Sequence, residues 1–344
     1  MYAESYGLAK KPFNMTPDPA FLFHTKQHRE ALAGLVYAIL DRKGFLVLSG
    51  VAGCGKTTLL AWVLGKLPRE RVQSSVILNP TLTREEFLEM AMLDFGITEI
   101  PDSKARRLWI LQHFLLKGHR EGKINVLIVD EAHKLTVELL EEIRLLGNLE
   151  NGDDKLIQIL LIGQRELDDV MSRPELWQLK QRVSVRLALE ALSAGEVEKY
   201  IEHRWTVAGG KLPLPFTAEA LVAVGKRSTG IPRVINSLCD SALTLAFADN
   251  VSSASVDHVE AAAQDLRLIP KPSAPLVVAA AAGANGTAKI AAATSEKTMV
   301  AAVSVAPEPE PEPLPVLPPS APKVSVLGRW AHKFGLGSNG QNRI

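Results

Sequence analysis

Short apolar runs alternate with stretches of helical spacing along residues 26–190. Ala31, Leu32, Leu35, Val36, Ile39 and Leu40 recur on one helical face over 27–40. Apolar runs predict strands over 45–49, 75–79, 124–129, 157–162 and 184–189, with helical patterns over 58–67, 84–95, 103–118 and 137–149 between them. Alternation of this kind predicts a parallel sheet with helices on both faces. From 193 to 268 the pattern turns entirely helical, with helices expected over 194–208, 217–228, 232–248 and 256–268. Ser193, Thr217 and Ser255 are their capping residues, and Ser193 with Glu196 forms a capping box. The chain therefore divides into an irregular N-terminal segment (1–25), an α/β domain (26–190), an all-helical module (191–268) and a Pro/Ala-rich tail (269–344).

The first segment is rich in proline and aromatics: Pro12, Phe13, Pro17, Pro19, Phe21 and Phe23. The tail has no repeating apolar face and is expected to be disordered. Within it, 307–315 alternates proline with glutamate, a stiff polyproline spacer. Residues 324–336 hold Val326, Leu327, Trp330 and Phe334 beside Arg329, His332 and Lys333. They read as a frayed end or, less simply, as a short amphipathic docking helix.

Composition narrows the class. The 344 residues are 47% hydrophobic and 22% charged, enough for a large core. A formal net charge of +1 gives no global basic field to attract nucleic acid. The two cysteines, Cys54 and Cys239, lie far apart and suggest a reduced compartment without a disulfide framework. The N-terminus lacks the basic-then-apolar order of a signal peptide. The apolar run 274–284 is too short and alanine-rich to span a bilayer. The expectation is a cytoplasmic protein without a transmembrane segment, brought to the inner membrane only through partners.

The chemistry begins at Gly50-Val51-Ala52-Gly53-Cys54-Gly55-Lys56-Thr57, between a predicted strand and a predicted helix. That is G-x-x-x-x-G-K-[ST] in the setting of a phosphate-binding loop. Its backbone amides, continuing to Thr58, and the positive end of the following helix suit a phosphate chain. Lys56 is expected on the outer phosphates of ATP and the Thr57 hydroxyl on Mg²⁺. The apolar run 124–129 ends in Asp130-Glu131, two carboxylates on the crevice where open α/β sheets bind ligands. Asp130 is the second expected Mg²⁺ partner, and Glu131 the base that orients the attacking water.

An extra strand's worth of sequence between the loop and Asp130, with glutamate after the aspartate, makes further positions readable. Gln164 closes a strand with an amide that can hold the water and sense hydrolysis. Arg182, with Arg186 in reserve, precedes or enters the last strand, where an arginine commonly serves a neighbouring subunit's transition state. Arg233, in Gly230-Ile231-Pro232-Arg233, opens a helix and can swing onto the phosphates when the helical module closes.

Together these parts resemble an AAA+ ATPase: a P-loop α/β domain followed by a helical lid. The phrases Tyr6-Gly7-Leu8, Pro12-Phe13, Thr16-Pro17-Asp18-Pro19, Phe21-Leu22-Phe23 and His28-Arg29-Glu30-Ala31-Leu32 look like the opening of the ExeA-type family, also called general secretion pathway protein A. Gly163-Gln164, Gln181-Arg182 and Gly230–Arg233 match it in order, over residues 1 to about 268. The resemblance implies ATP hydrolysis in an ATP-dependent homo-oligomer serving a bacterial envelope machine: type II secretion, type IV pili or exopolysaccharide export. Relatives in fold are the transposition ATPases of the TnsC/TniB kind, which load on DNA.

Two departures qualify the resemblance. Secretion members carry a membrane span and a peptidoglycan-binding domain after the lid, where this chain has its Pro/Ala-rich tail. Cys54 stands where a small residue is usual: either it simply fits, or its thiol is acidified by the loop amides and oxidisable.

The main alternative is a DNA-loading regulator, prompted by Lys104, Arg106, Arg107, Lys117, Arg120 and Lys123 on and after one helix; a solvated helix face explains these charges too. A helicase, prompted by Asp130-Glu131-Ala132-His133, lacks a second α/β domain after Leu189. A nucleotide-binding interaction scaffold is the remaining alternative.

Overall fold

Strands buried on both faces must alternate their apolar side chains between two cores, and the central strands here do so. The computed structural model describes residues 2–78, 80–152 and 154–268. The tail 269–344, with its spacer and terminal piece, lies outside the described residues, as does Asn79.

Five parallel strands form one sheet: β1 (Phe45–Gly50), β2 (Val72–Ile77), β3 (Ile124–Val129), β4 (Ile157–Ile162) and β5 (Val183–Leu189), in the order β2-β3-β4-β1-β5. Seven helices accompany them: α1 (Lys26–Leu40), α2 (Lys56–Lys66), α3 (Arg84–Phe95), α4 (Lys104–Arg120), α5 (Val137–Leu146), α6 (Glu166–Met171) and α7 (Trp177–Arg182). Phe45 and Val47 of β1, Leu127 and Val129 of β3, and Ile159 and Leu161 of β4 face a core shared with α3, α4, α5, α6 and α7. Leu46 and Leu48, Val126 and Ile128, and Leu160 and Ile162 face the opposite core, shared with α1 and α2. The register pairs Leu48 with Ile162, Gly50 with Leu189, and Val129 with both Ile77 and Leu161, so all five strands end at one edge. The phosphate-loop sequence, Asp130-Glu131 and Gly163-Gln164 all leave the sheet there. β1 has a non-consecutive strand on each side, the position at which such sheets open a crevice.

The helical module comprises α8 (Ala194–Val207), α9 (Ala218–Ser228), α10 (Pro232–Ala248) and α11 (Val256–Asp265). The Ser193 amide donates to Glu196 Oε2 (2.9 Å), the reciprocal half of the expected capping box. Ser255 is met in the same way by His258 Nδ1 (2.9 Å), a second box that the sequence pattern did not announce.

Several boundaries differ from the sequence reading, two of them with a clear local setting. β2 starts at Val72 rather than 75, because it is an edge strand whose start is fixed by pairing with Ile124 and not by its own polar sequence Gln73-Ser74-Ser75. The helix expected over 137–149 ends at Leu146 with Gly147 as its C-cap, and Gly147 lies so close to the Phe45 ring that a Cβ would stand 2.2 Å from it. The N-terminal segment 2–25 is largely without regular secondary structure. It makes one helical turn (Tyr2–Ser5) and a 3₁₀ turn (Pro19–Phe21), and it buries Tyr2 and Phe13 in the core of the helical module.

Candidate functional site

The loop after β1 needs backbone angles that side chains resist. Gly53 (φ +79°) and Gly55 (φ +96°) both lie in the left-handed region, and Gly55 is the N-cap of α2. At Gly53 a Cβ would stand 2.7 Å from Arg233 Cβ, so glycine also permits the first turn of α10 to sit directly on the loop. The Arg233 amide donates to the Gly53 carbonyl there (3.2 Å).

Lys56 opens α2 and is almost fully buried; its ammonium donates to the Gly50 (2.8 Å) and Val51 (3.0 Å) carbonyls. Thr57 Oγ1 donates to Asp130 Oδ2 (3.1 Å), joining the loop after β1 to the end of β3. The Glu131 amide donates to the other Asp130 oxygen (2.9 Å). Burial pushes the Asp130 carboxyl above the usual carboxylate range, opposed by these two hydrogen bonds. Glu131 follows in the left-handed region (φ +55°), uncommon for a residue with a Cβ. Its Oε2 lies 3.5 Å from both His133 Nε2 and Lys134 Nζ.

One cleft, about 1000 Å³ with the space at its mouth included, gathers most of the expected residues. Ala52 through Thr58, Glu131, Gln164 and Arg233 line it. Gly50, Val51 and Asp130 stand behind that surface, tied to it through Lys56 and Thr57. Arg182 and Arg186 are not brought to this cleft. Arg182 donates to the Arg144 carbonyl (3.2 Å) and to the side-chain oxygen of Asn148, while Arg186 pairs with Asp168 (2.9 Å). Cys54 is buried, and burial raises its thiol pKa. The loop amides do not acidify it, because desolvation outweighs them.

The opposite wall was missed by sequence reasoning. It is built by the N-terminal segment (Thr16, Asp18, Phe21, Leu22) with Tyr200, Arg204 and Asn236 of the helical module. Arg204 is buried beside it. Its guanidinium donates to the carbonyls of Pro12 (2.6 Å) and Asn14 (3.3 Å) and to the Tyr200 hydroxyl (3.3 Å), and it covers the Phe21 ring at 4.7 Å. Tyr200 donates in turn to Asn236 (2.9 Å). His28, also missed, lines the cleft beside Gly55. Its amide is capped by Thr25 Oγ1 and its Nδ1 lies 2.7 Å from that hydroxyl; burial lowers its pKa. Its place in the phrase His28-Arg29-Glu30-Ala31-Leu32, which carries the family resemblance, was a signal that could have flagged it.

Three of the six basic residues on and after α4 are paired with carboxylates, while Arg106, Lys117 and Arg120 are exposed. Lys104 pairs with Glu142 (2.8 Å), Arg107 with Glu89 (3.4 Å) and Lys123 with Glu121 (2.8 Å). Among the described residues no helix is long and apolar enough to cross a membrane.

Comparison with known proteins agrees with this architecture. The family described as "AAA domain" matches residues 39–171. General secretion pathway protein A of Aeromonas hydrophila is 41% identical over 249 residues, 72% of this chain. The chain spans 45% of that relative's length. Among solved structures, CDC6P from Pyrobaculum aerophilum aligns with a TM-score of 0.59 at 12% identity, over 74% of this chain and 70% of that one. The Aeropyrum pernix ORC2 protein, solved as ADPNP–ADP complexes, aligns with a TM-score of 0.56 at 20% identity, over 75% and 73%. These two likenesses are of fold: a P-loop nucleotide-binding sheet followed by a helical lid. With that fold, the AAA domain match and the 41% identity in hand, the chain is a member of the ExeA-type AAA family.

Proposed function

We propose that the chain hydrolyses ATP, works as an ATP-dependent homo-oligomer, and acts as a motor or switch for a bacterial envelope assembly. One observation carries the chemical part: Lys56, Thr57, Glu131, Gln164 and Arg233, drawn from four separate chain segments, line a single cleft. The biological part rests on the name and identity of the secretion-pathway relative.

In this reading the loop amides and Lys56 grip the triphosphate, the lysine exchanging its two carbonyl partners for outer phosphate oxygens. Thr57 Oγ1 and Asp130 Oδ2 would hold Mg²⁺. They are adjacent hard oxygens, and the Asp130 carboxylate is a buried charge answered by only two hydrogen bonds, which suits a divalent cation. Bound there, Mg²⁺ would supply positive charge to the phosphate oxygens. The Glu131 carboxylate orients a water and takes its proton as the water attacks the γ-phosphorus. The Gln164 amide holds that water against the γ-phosphate. Arg233, already seated on Gly53, carries lid closure to the phosphates. Arg182, outside its own chain's cleft, serves the neighbouring subunit, with Arg186 as its reserve.

The test is turnover. Glu131→Gln should retain ATP binding and abolish hydrolysis. A wild-type chain that binds ATP without hydrolysing it would leave only a nucleotide-binding scaffold. Partners are tested by capture with and without residues 269–344 under ATP-trapped conditions. Steep salt-dependent binding to duplex DNA would instead favour the DNA-loading alternative.

A further inference from the structure

His133 does not line the cleft, yet it touches both cleft residues that follow the neighbouring strands β3 and β4. Its Nδ1 accepts a hydrogen bond from the Gln164 backbone amide (3.3 Å). An acceptor at Nδ1 leaves the neutral ring's proton on Nε2, which lies 3.5 Å from Glu131 Oε2. The imidazole is 12% exposed, so its orientation follows the groups packed around it. Lys134, at the same distance from that carboxylate oxygen, is 53% exposed on a flexible stem.

The backbone is shaped around this contact. Residues 132–134 form a 3₁₀ turn, with Ala132 buried in the sheet's core. Gly163, just before Gln164, has ordinary space on neither side. A Cβ there would stand 3.2 Å from the His133 amide nitrogen and 3.0 Å from Leu167 Cβ. Glycine at 163 thus lets the turn after β3 dock against the turn after β4, and His133 is the side chain that bridges them.

We propose that His133 is a positioning residue that couples Gln164 to Glu131, so that engagement of the γ-phosphate by Gln164 sets the orientation of the Glu131 carboxylate. As Gln164 engages the γ-phosphate, the turn after β4 shifts and carries the Gln164 backbone N–H with it. The imidazole bonded to that N–H turns, and Nε2–H swings relative to Glu131. The carboxylate is then aligned for water activation with ATP bound and released from alignment with ADP. The proposal rests on the roles of Glu131 and Gln164 given above.

The experiment measures kcat, KM and ATP affinity on the full chain for wild type, His133→Ala, His133→Asn, Gln164→Ala and the double variant His133→Ala/Gln164→Ala. Asn at 133 keeps an acceptor near the Nδ1 position for the Gln164 amide but does not reach Glu131. It should restore the thermal midpoint that Ala lowers, without restoring kcat. Both His133 variants should lose about tenfold in kcat with KM and affinity within about twofold. In the double variant the loss should be close to that of Gln164→Ala alone, because the coupled pair acts as a unit. Recovery of kcat in His133→Asn, multiplicative losses in the double variant, or unchanged kcat in His133→Ala beside an active wild type would overturn the coupling alone. A wild type that binds ATP without turnover would overturn it together with the reading beneath it.

Discussion

The wall of the cleft that holds the loop after β1 is made of short runs at strand ends, whereas the opposite wall joins the N-terminal segment to helices some two hundred positions later. Lys56 finds its acceptors five and six residues away, and Glu131 is flanked by Asp130 and His133. Arg204, in contrast, bonds to carbonyls 190 and 192 residues distant. The first wall is fixed by the sheet and its turns. The second exists only while the helical lid and the N-terminal strap hold each other. In the proposed reading the groups that would perform chemistry sit on the wall fixed by the sheet, and lid closure would act through the wall held by long-range contacts.

That contrast can be broken by experiment. The largest effect is expected on the rigid side: Glu131→Gln should lower kcat at least about a hundredfold while ATP binding persists, measured by steady-state turnover and equilibrium binding. On the long-range side, Arg204→Ala should cost about 2–4 kcal/mol of stability, because three charge-assisted hydrogen bonds and the Phe21 contact are lost together. Denaturant unfolding measures this, and ATP affinity should fall with it while kcat at saturation changes little. Loss of kcat with affinity intact would erase the distinction between the walls.

A smaller effect is expected at Asp130. Burial raises its pKa in the folded state, so folding is favoured below the unfolded pKa, and that advantage disappears as pH rises through the folded value. Asp130→Asn removes the buried charge. It should raise the unfolding midpoint of the nucleotide-free protein at neutral pH, with a gain that shrinks on acidification. It should also abolish the Mg²⁺ dependence of ATP binding, read by titration with and without chelator. The smallest effect belongs to Cys54→Ala, expected to change stability by under about 1 kcal/mol and to leave turnover intact. Its buried thiol should react with alkylating reagents only on unfolding.

Legibility from sequence follows the same divide. β3 and β4 and the helices α3 and α10 fall on their predicted limits, because each carries its own apolar period or proline start. β2 does not, since a polar edge strand takes its register from its neighbour. The phosphate loop, Asp130-Glu131 and Gln164 are readable because their spacing is local. Tyr200, Arg204 and Asn236 are not, because nothing in a run of helical residues announces which polar group will meet a strap from the other end of the chain. His133 fell between these cases. Its letter stood in Asp130-Glu131-Ala132-His133, where it suggested a helicase, but its contact with the turn after β4 becomes visible only in three dimensions.

The burial of Tyr2 and Phe13 among Trp205, Phe216, Leu238 and Leu243 also bears on the order of folding. Tyr2 and Phe13 complete a core whose other members, from Leu192 to Ala263, are synthesised only after every strand of the sheet. Until those helices arrive, two aromatic rings have no partner, and closing so long a loop carries an entropic cost that slows the step. The sheet's residues are therefore all available to pair before the N-terminal segment finds its partners.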